Sequence, residues 1–189
     1  MRKNHLKSIS QILVVSVGFV FTFCAPPVEV EKSNLLEKVV LNAEDTTAHP
    51  SKREGDAHSG KSFWRVDSNG VYGLVYIYQI NDTLLQEDLK VKVNTWVRMA
   101  DLNHDQKYAI SLEDGKGATL NWSEINFRSH VGEVNKWVNV IDSVVIPANM
   151  INMSGMILKT FTYNPDAKSF LDCDDTELSF YNLEKVMEK

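Results

Sequence analysis

Cysteine is nearly absent: 189 residues hold Cys24 and Cys173 alone. The first ends an N-terminal apolar run, so no intramolecular disulfide framework is available, and Cys173 reads as a small buried apolar residue. Long apolar stretches are missing too. The run from Ile12 to Phe23 counts 12 residues, short of the ~20 that a membrane-spanning helix needs. There is no basic run, and the formal net charge is −5, which speaks against nucleic acid as a partner. The chain lacks a His-Glu-x-x-His helix, a Gly-x-Ser-x-Gly elbow, a P-loop and a Gly-x-Gly-x-x-Gly turn. His49, His58, His104 and His130 are scattered, and Glu113, Asp114 and Glu124 single out no hydrolytic pair among 25 acidic residues. No enzyme is expected. Internal repeats and long low-complexity segments are also missing.

What the N-terminus does contain is informative. Arg2, Lys3 and Lys7 precede the apolar run, the layout of a signal peptide over residues 1–23. Cys24, placed at the end of the run, resembles the lipobox cysteine of bacterial envelope lipoproteins, although Phe23 and Phe21 stand where that pattern favours a small residue and Leu. The implied location is the cell envelope, with the membrane met only through a lipid on Cys24; the alternative is a secreted or periplasmic protein cut elsewhere. Residues 24–35, with Pro26, Pro27 and alternating charge, read as a tether. Residues 36–189 read as one domain, and without the leader 17 Lys and Arg face 25 acidic residues.

Within that domain the runs are short, rich in Val, Ile, Tyr, Phe and Trp, and punctuated by Asn, Asp, Gly and Pro. The pattern predicts strands at 39–41, 62–66, 74–80, 88–99, 108–112, 125–129, 136–142, 156–163 and 177–183, with one helical turn or a frayed end after Leu183. Nine short strands and no long helix make an all-β, antiparallel β-sandwich. Asp101, Asn103 and Asp105 open like an EF-hand loop, but Gln106 and Leu112 stand where the turn glycine and the bidentate glutamate belong. A polar hairpin loop is expected there.

Two distant segments sharpen the fold. His58-Ser59-Gly60-Lys61 precedes one strand, and Asp174-Asp175 enters the last. With Glu44 upstream, Trp96-Val97-Arg98, Trp137-Val138-Asn139-Val140 and residues 156–164, they make a set that resembles the jelly-roll modules of the galactose-binding-like superfamily, including bacterial carbohydrate-binding modules. The resemblance covers roughly residues 38–183 and implies a structural calcium ion. Its ligands would be Glu44, the carbonyls of Ser59 and Lys61, and Asp174 or Asp175. Calcium takes 6 to 8 oxygen ligands and tolerates this mixture. Without an ion, Gly60 makes a tight turn and the aspartates cap a strand entry.

Alternation along 88–99 puts Val91, Val93, Thr95 and Val97 on one face and Lys92, Asn94, Trp96 and Arg98 on the other. The first face is core. The second combines an indole with hydrogen-bonding groups, as a sugar site requires, and Tyr76 and Tyr78 could extend that platform. Trp122, set in a polar loop in this reading, is a further candidate ligand contact, while Trp64 and Trp137 are core. The expected protein binds glycan or polysaccharide without transforming it; the alternative is a structural or adhesion protein that holds another surface protein. An exposed aromatic row on a concave sheet favours glycan, a flat apolar patch favours a protein, and a deep cleft with two facing carboxylates would revive a hydrolase.

Overall fold

In the computed structural model, residues 29–45 and 48–187 are described, with side chains described for 33–45 and 48–183. The leader and Cys24 lie outside the described residues. Ten strands follow in order: β1 (Glu29–Leu41), β2 (Lys52–Glu54), β3 (Ser62–Val66), β4 (Tyr76–Gln79), β5 (Asp88–Met99), β6 (Lys107–Glu113), β7 (Thr119–Asn126), β8 (Val138–Ile146), β9 (Ile157–Tyr163) and β10 (Leu171–Met187). They form a six-stranded sheet ordered β2-β3-β10-β5-β8, with β1 also on β10, and a four-stranded sheet ordered β4-β9-β6-β7. Every pairing is antiparallel. The protein is an antiparallel β-sandwich of jelly-roll type.

Alternation decides what lies between the sheets. Val91, Val93 and Val97 of β5, Leu178 and Phe180 of β10, and Val140 and Ile146 of β8 meet Tyr108, Ile110 and Leu112 of β6 and Leu158 of β9 in one buried core. Trp64 joins it, as expected. Trp137 does not, since it lies half-buried on the outer side of the six-stranded sheet over the Arg98 guanidinium.

The long last strand departs most from expectation. β10 runs for 17 residues and is bonded to β5 on one side and to β3 and then β1 on the other. Main-chain groups in such a central strand need partners along its whole length. That need explains β1: it starts at Glu29, so residues 29–35, expected as tether, are strand, with Leu35 opposite Tyr181. The segment after Leu183 continues β10 to Met187 instead of fraying or turning helical. Two further corrections concern connections. The stretch expected as a strand at 125–129 is the end of β7 followed by a 3₁₀ turn at Phe127–Ser129. The Asp101–Asp105 loop joins β5 to β6, which lie in different sheets, so it is a crossover and not a hairpin.

A polar cluster ties β3, β5 and β10 together on the outer side of the larger sheet. Asp172 is fully buried and accepts from Arg65 Nε at 2.6 Å and Nη2 at 2.9 Å, and from Arg98 Nε at 3.0 Å. Arg98 reaches Asp56 through Nη1 at 2.7 Å. Two cations and two carboxylates balance, and Phe63, Phe170 and Trp137 lie against the guanidinium planes. Removing the central anion would leave two arginines facing each other with their best acceptor gone. Asp172→Ala is therefore expected to cost about 3 to 5 kcal/mol of unfolding free energy, the range for breaking a buried pair from one side. A denaturant titration showing a loss under about 1 kcal/mol would contradict the assignment.

Candidate functional site

Asp174 and Asp175 lie at an irregularity within β10. Opposite β5 the register passes from Asp174↔Trp96 to Glu177↔Asn94, so two residues of β10 face one of β5. Asp175 takes a left-handed backbone there, with φ of 45°. Such a bulge breaks the strict alternation. Its consequence is that both carboxylates reach the turn at residues 57–61. Asp174 accepts from the main-chain N–H of His58 at 3.0 Å and of Ser59 at 3.1 Å; Asp175 accepts from Ser59 Oγ at 2.9 Å and pairs with His58 Nδ1 at 2.8 Å. Burial pushes the Asp174 carboxyl up despite these donors.

Glu44 holds the other end of the turn. Its Oε1 accepts the N–H groups of Lys61 and Ser62, both at 2.6 Å, which draws its carboxyl below the usual value. Gly60 has φ of +62°, and a Cβ there would collide with the Glu44 carboxylate, so glycine is required on both counts. The sequence pattern Glu44, Ser59-Gly60-Lys61 and Asp174-Asp175 is thus one spatial unit. Hard carboxylate oxygens suit calcium in donor chemistry, but Glu44 holds the other end of the turn and is not among the side chains whose ligand atoms cluster with those of Asp174 and Asp175. The Lys61 carbonyl, also expected as a ligand, accepts the Gly55 N–H at 2.9 Å. The His58, Asp174 and Asp175 ligand atoms lie within 4.8 Å of one another.

Trp96 belongs to this unit. Its ring stacks on the His58 imidazole with centroids 3.7 Å apart and an interplanar angle of 13°. One indole face is thereby covered, and the neighbours expected to serve a sugar are engaged elsewhere. Arg98 is buried in the Asp172 cluster, and Asn94 accepts from Asn139 Nδ2 at 2.8 Å. Lys92 stays exposed. Tyr76 and Tyr78 face the opposite way, into the sandwich. Tyr78 is buried with its ring stacked 4.3 Å from Phe180, and Tyr76 donates to Glu37. Burial, and then that bond, push the Tyr76 hydroxyl up to about 12. They cannot extend a platform centred on Trp96, because alternation in β4 puts both on the core side.

Trp122 is different. It lies in β7, not in a loop, opposite Ser111 of β6, and it is 43% exposed. It contacts Phe161 and Tyr163 of β9 edge-on, with centroids at 5.8 and 5.9 Å. Tyr163 in turn stacks on Tyr72 at 5.0 Å and 6°, and Tyr72 is 55% exposed. Four aromatic rings thus form a row across the outer face of the four-stranded sheet. Polar groups fix its frame. Trp122 Nε1 donates to Glu124 at 3.2 Å, and Lys107, almost buried, binds both Glu124 and Asp105. Burial alone would pull the Lys107 ammonium down, but the two carboxylates outweigh it and the net direction is up. Lys159 beside Phe161 pairs with Glu113 at 2.6 Å. Sequence reasoning missed Tyr72, Phe161 and Tyr163. The period-two run Ile157, Lys159, Phe161, Tyr163 was the available signal for two of them.

No family model and no curated protein sequence matches the chain. Among solved structures it is similar to the xylan-binding domain CBM22-1 of Paenibacillus barcinonensis Xyn10C, with 13% identity, a TM-score of 0.43, and coverage of 87% of this chain and 98% of that one. It is also similar to the C-terminal CBM6 of LamC, a laminarinase from Zobellia galactanivorans, with 11% identity, a TM-score of 0.40, and coverage of 76% and 99%. The VP2 subviral particle of infectious bursal disease virus is as similar, with 12% identity and a TM-score of 0.43 over 79% of this chain and 37% of that one. The likeness is one of chain course, two antiparallel sheets laid face to face.

Proposed function

We propose that the protein binds a polysaccharide across the outer face of the four-stranded sheet and does not transform it. The observation that carries this reading is the row Trp122, Phe161, Tyr163 and Tyr72, open to solvent at Trp122 and Tyr72. Sugar rings present flat C–H faces and a rim of hydroxyls. Aromatic planes with fixed polar neighbours suit both parts. Trp122 and Tyr72 each contact both Phe161 and Tyr163, at 5.0 to 5.9 Å, so the two exposed rings flank a shared aromatic base. Two ion pairs, Lys107–Glu124 and Lys159–Glu113, lie beside the rings and fix the polar frame of this face. A protein partner would favour a flat apolar patch instead, whereas charged pairs interrupt this face.

In this reading the Trp96 group is structural and the Trp122 group binds. Trp122→Ala should weaken polysaccharide affinity by about 1 to 3 kcal/mol, as when one well-packed anchor is lost, with little change in melting. Trp96→Ala should do the reverse, lowering stability by more than the about 0.5 to 1.5 kcal/mol that a ring pair adds beyond its buried area while leaving affinity intact. Affinity electrophoresis against a polysaccharide panel, paired with thermal melts, reads both; an unchanged affinity for Trp122→Ala would overturn the aromatic-row reading.

We propose further that calcium is held where Glu44, Asp174 and Asp175 meet the turn at 57–61. Asp174 and Asp175 repel one another, and a divalent cation would relieve that repulsion in the folded state alone. The same reading takes Cys24 as lipid-bearing and the sandwich as displayed on the cell envelope. Chelation should lower the melting temperature of the wild type, and Asp174→Ala combined with Asp175→Ala should abolish the response to chelator. A melt indifferent to chelator, together with a protein free of metal by elemental analysis, would leave hydrogen bonds as the sole lock.

A further inference from the structure

Tyr72 has two neighbourhoods. On one side it stacks on Tyr163 and ends the aromatic row; on the other it lines a cavity of about 40 Å³ with Pro50, Ser51, Arg53, Arg65, Asn69 and Gly70. The loop from Asp67 to Gly73 brings these together, since it leaves β3 in the larger sheet and is bonded to β9 in the smaller through Gly73 N to Thr162 O at 2.9 Å. The cavity therefore adjoins the aromatic rings at Tyr72. The two arginines there differ in their charge balance. Arg65 is matched by Asp172 through two hydrogen bonds. Arg53 makes its hydrogen bonds through Nη1 to the carbonyls of Pro50 and Lys52, at 2.7 and 2.8 Å, and among the described residues no carboxylate forms an ion pair with it. Neutral carbonyls orient a guanidinium without cancelling its charge.

The geometry points to Arg53 as the reader of an acidic substituent: we propose that the polysaccharide carries uronic-acid residues, and that one carboxylate docks in the cavity between Tyr72 and Arg53. With Nη1 held by the main chain, the Nε and Nη2 edge is the part left to face a ligand, and it matches two carboxylate oxygens in one plane. Asn69 in the wall supplies a neutral amide for adjoining hydroxyls. Arg53 and Pro50 also line a larger open basin with His49, Lys52 and Glu54, and Glu54 does not line the cavity that holds Tyr72. This inference rests on the aromatic-row reading and adds the class of sugar.

The test uses glucuronoxylan, alginate and homogalacturonan, each as the native polymer and after reduction of its carboxylates to alcohols. The wild type should prefer at least one native polymer over its reduced form by about tenfold, the scale of a charge-assisted hydrogen-bond pair, and the preference should shrink as salt rises. Arg53→Gln should erase the preference and keep affinity for the reduced polymer; Trp122→Ala should weaken both forms alike. A preference that survives Arg53→Gln, or a wild type indifferent to reduction, overturns the acidic subsite and leaves the aromatic row standing. Restored binding to a sulfated neutral polymer alone would assign the cavity to sulfate and also overturn the carboxylate. Failure to bind any of the six polymers, with Trp122→Ala equally silent, overturns both readings.

Discussion

Strand β10 is the constraint on which the rest of the molecule depends. A strand of 17 residues in the middle of a sheet must satisfy donors and acceptors on both sides. β5 does so on one side, while β3 and β1 divide the other, and the division falls next to the bulge. Where β3 ends and β1 begins, the chain carries Asp174 and Asp175. The Asp174 carboxylate takes up the main-chain N–H groups of His58 and Ser59 in a turn that no strand covers, Asp175 takes the side chains of the same two residues, and Glu44 takes up the N–H groups of Lys61 and Ser62. The acidic residues thus complete a sheet edge that main-chain pairing leaves open. A cation would reinforce a connection that hydrogen bonds already make, so the same residues can serve a metal and still hold the turn in its absence.

The strands were legible in sequence where alternation was clean and the bounding residues were turn formers. Ser62–Val66 and Asp88–Met99 have the bounds that the pattern predicts. β2 was not legible, because Lys-Arg-Glu carries no apolar signal and is strand only through its pairing with β3. β1 was misread as tether for a related reason. Its first residues are charged, and what makes them strand is the unfilled side of β10, a tertiary demand that local propensity does not report.

For the site, the residues of the linear motif come together in space, while those of the inferred face are engaged elsewhere, on physical grounds. Glu44, Ser59, Lys61, Asp174 and Asp175 were marked by residue types that have few other uses at a glycine turn. The Trp96 face was marked by alternation alone, and alternation says which residues leave the core without saying what else covers them. His58 covers Trp96, Asp172 and Asp56 occupy Arg98, and Asn139 takes Asn94. The row around Trp122 was hard to see because its members come from β7, β9 and the Asp67–Gly73 loop. Tyr72 is brought to Tyr163 by an isolated bridge that no sequence pattern announces.

The two outer faces divide their work for a reason of charge. On the larger sheet, arginines and aspartates neutralise one another beneath aromatic rings, and Trp96 and Trp137 are committed to that packing. On the smaller sheet the ion pairs sit beside the rings, so Trp122 and Tyr72 keep exposed surface while Lys107 and Lys159 are already held. A ligand on the first face would have to break bonds before making any. On the second it meets groups fixed in place, and the cost of ordering side chains on binding is correspondingly small. Arg53 sits where the two faces meet, next to a cluster in which every other guanidinium is matched by a carboxylate. Its guanidinium is bonded instead to the main-chain carbonyls of Pro50 and Lys52.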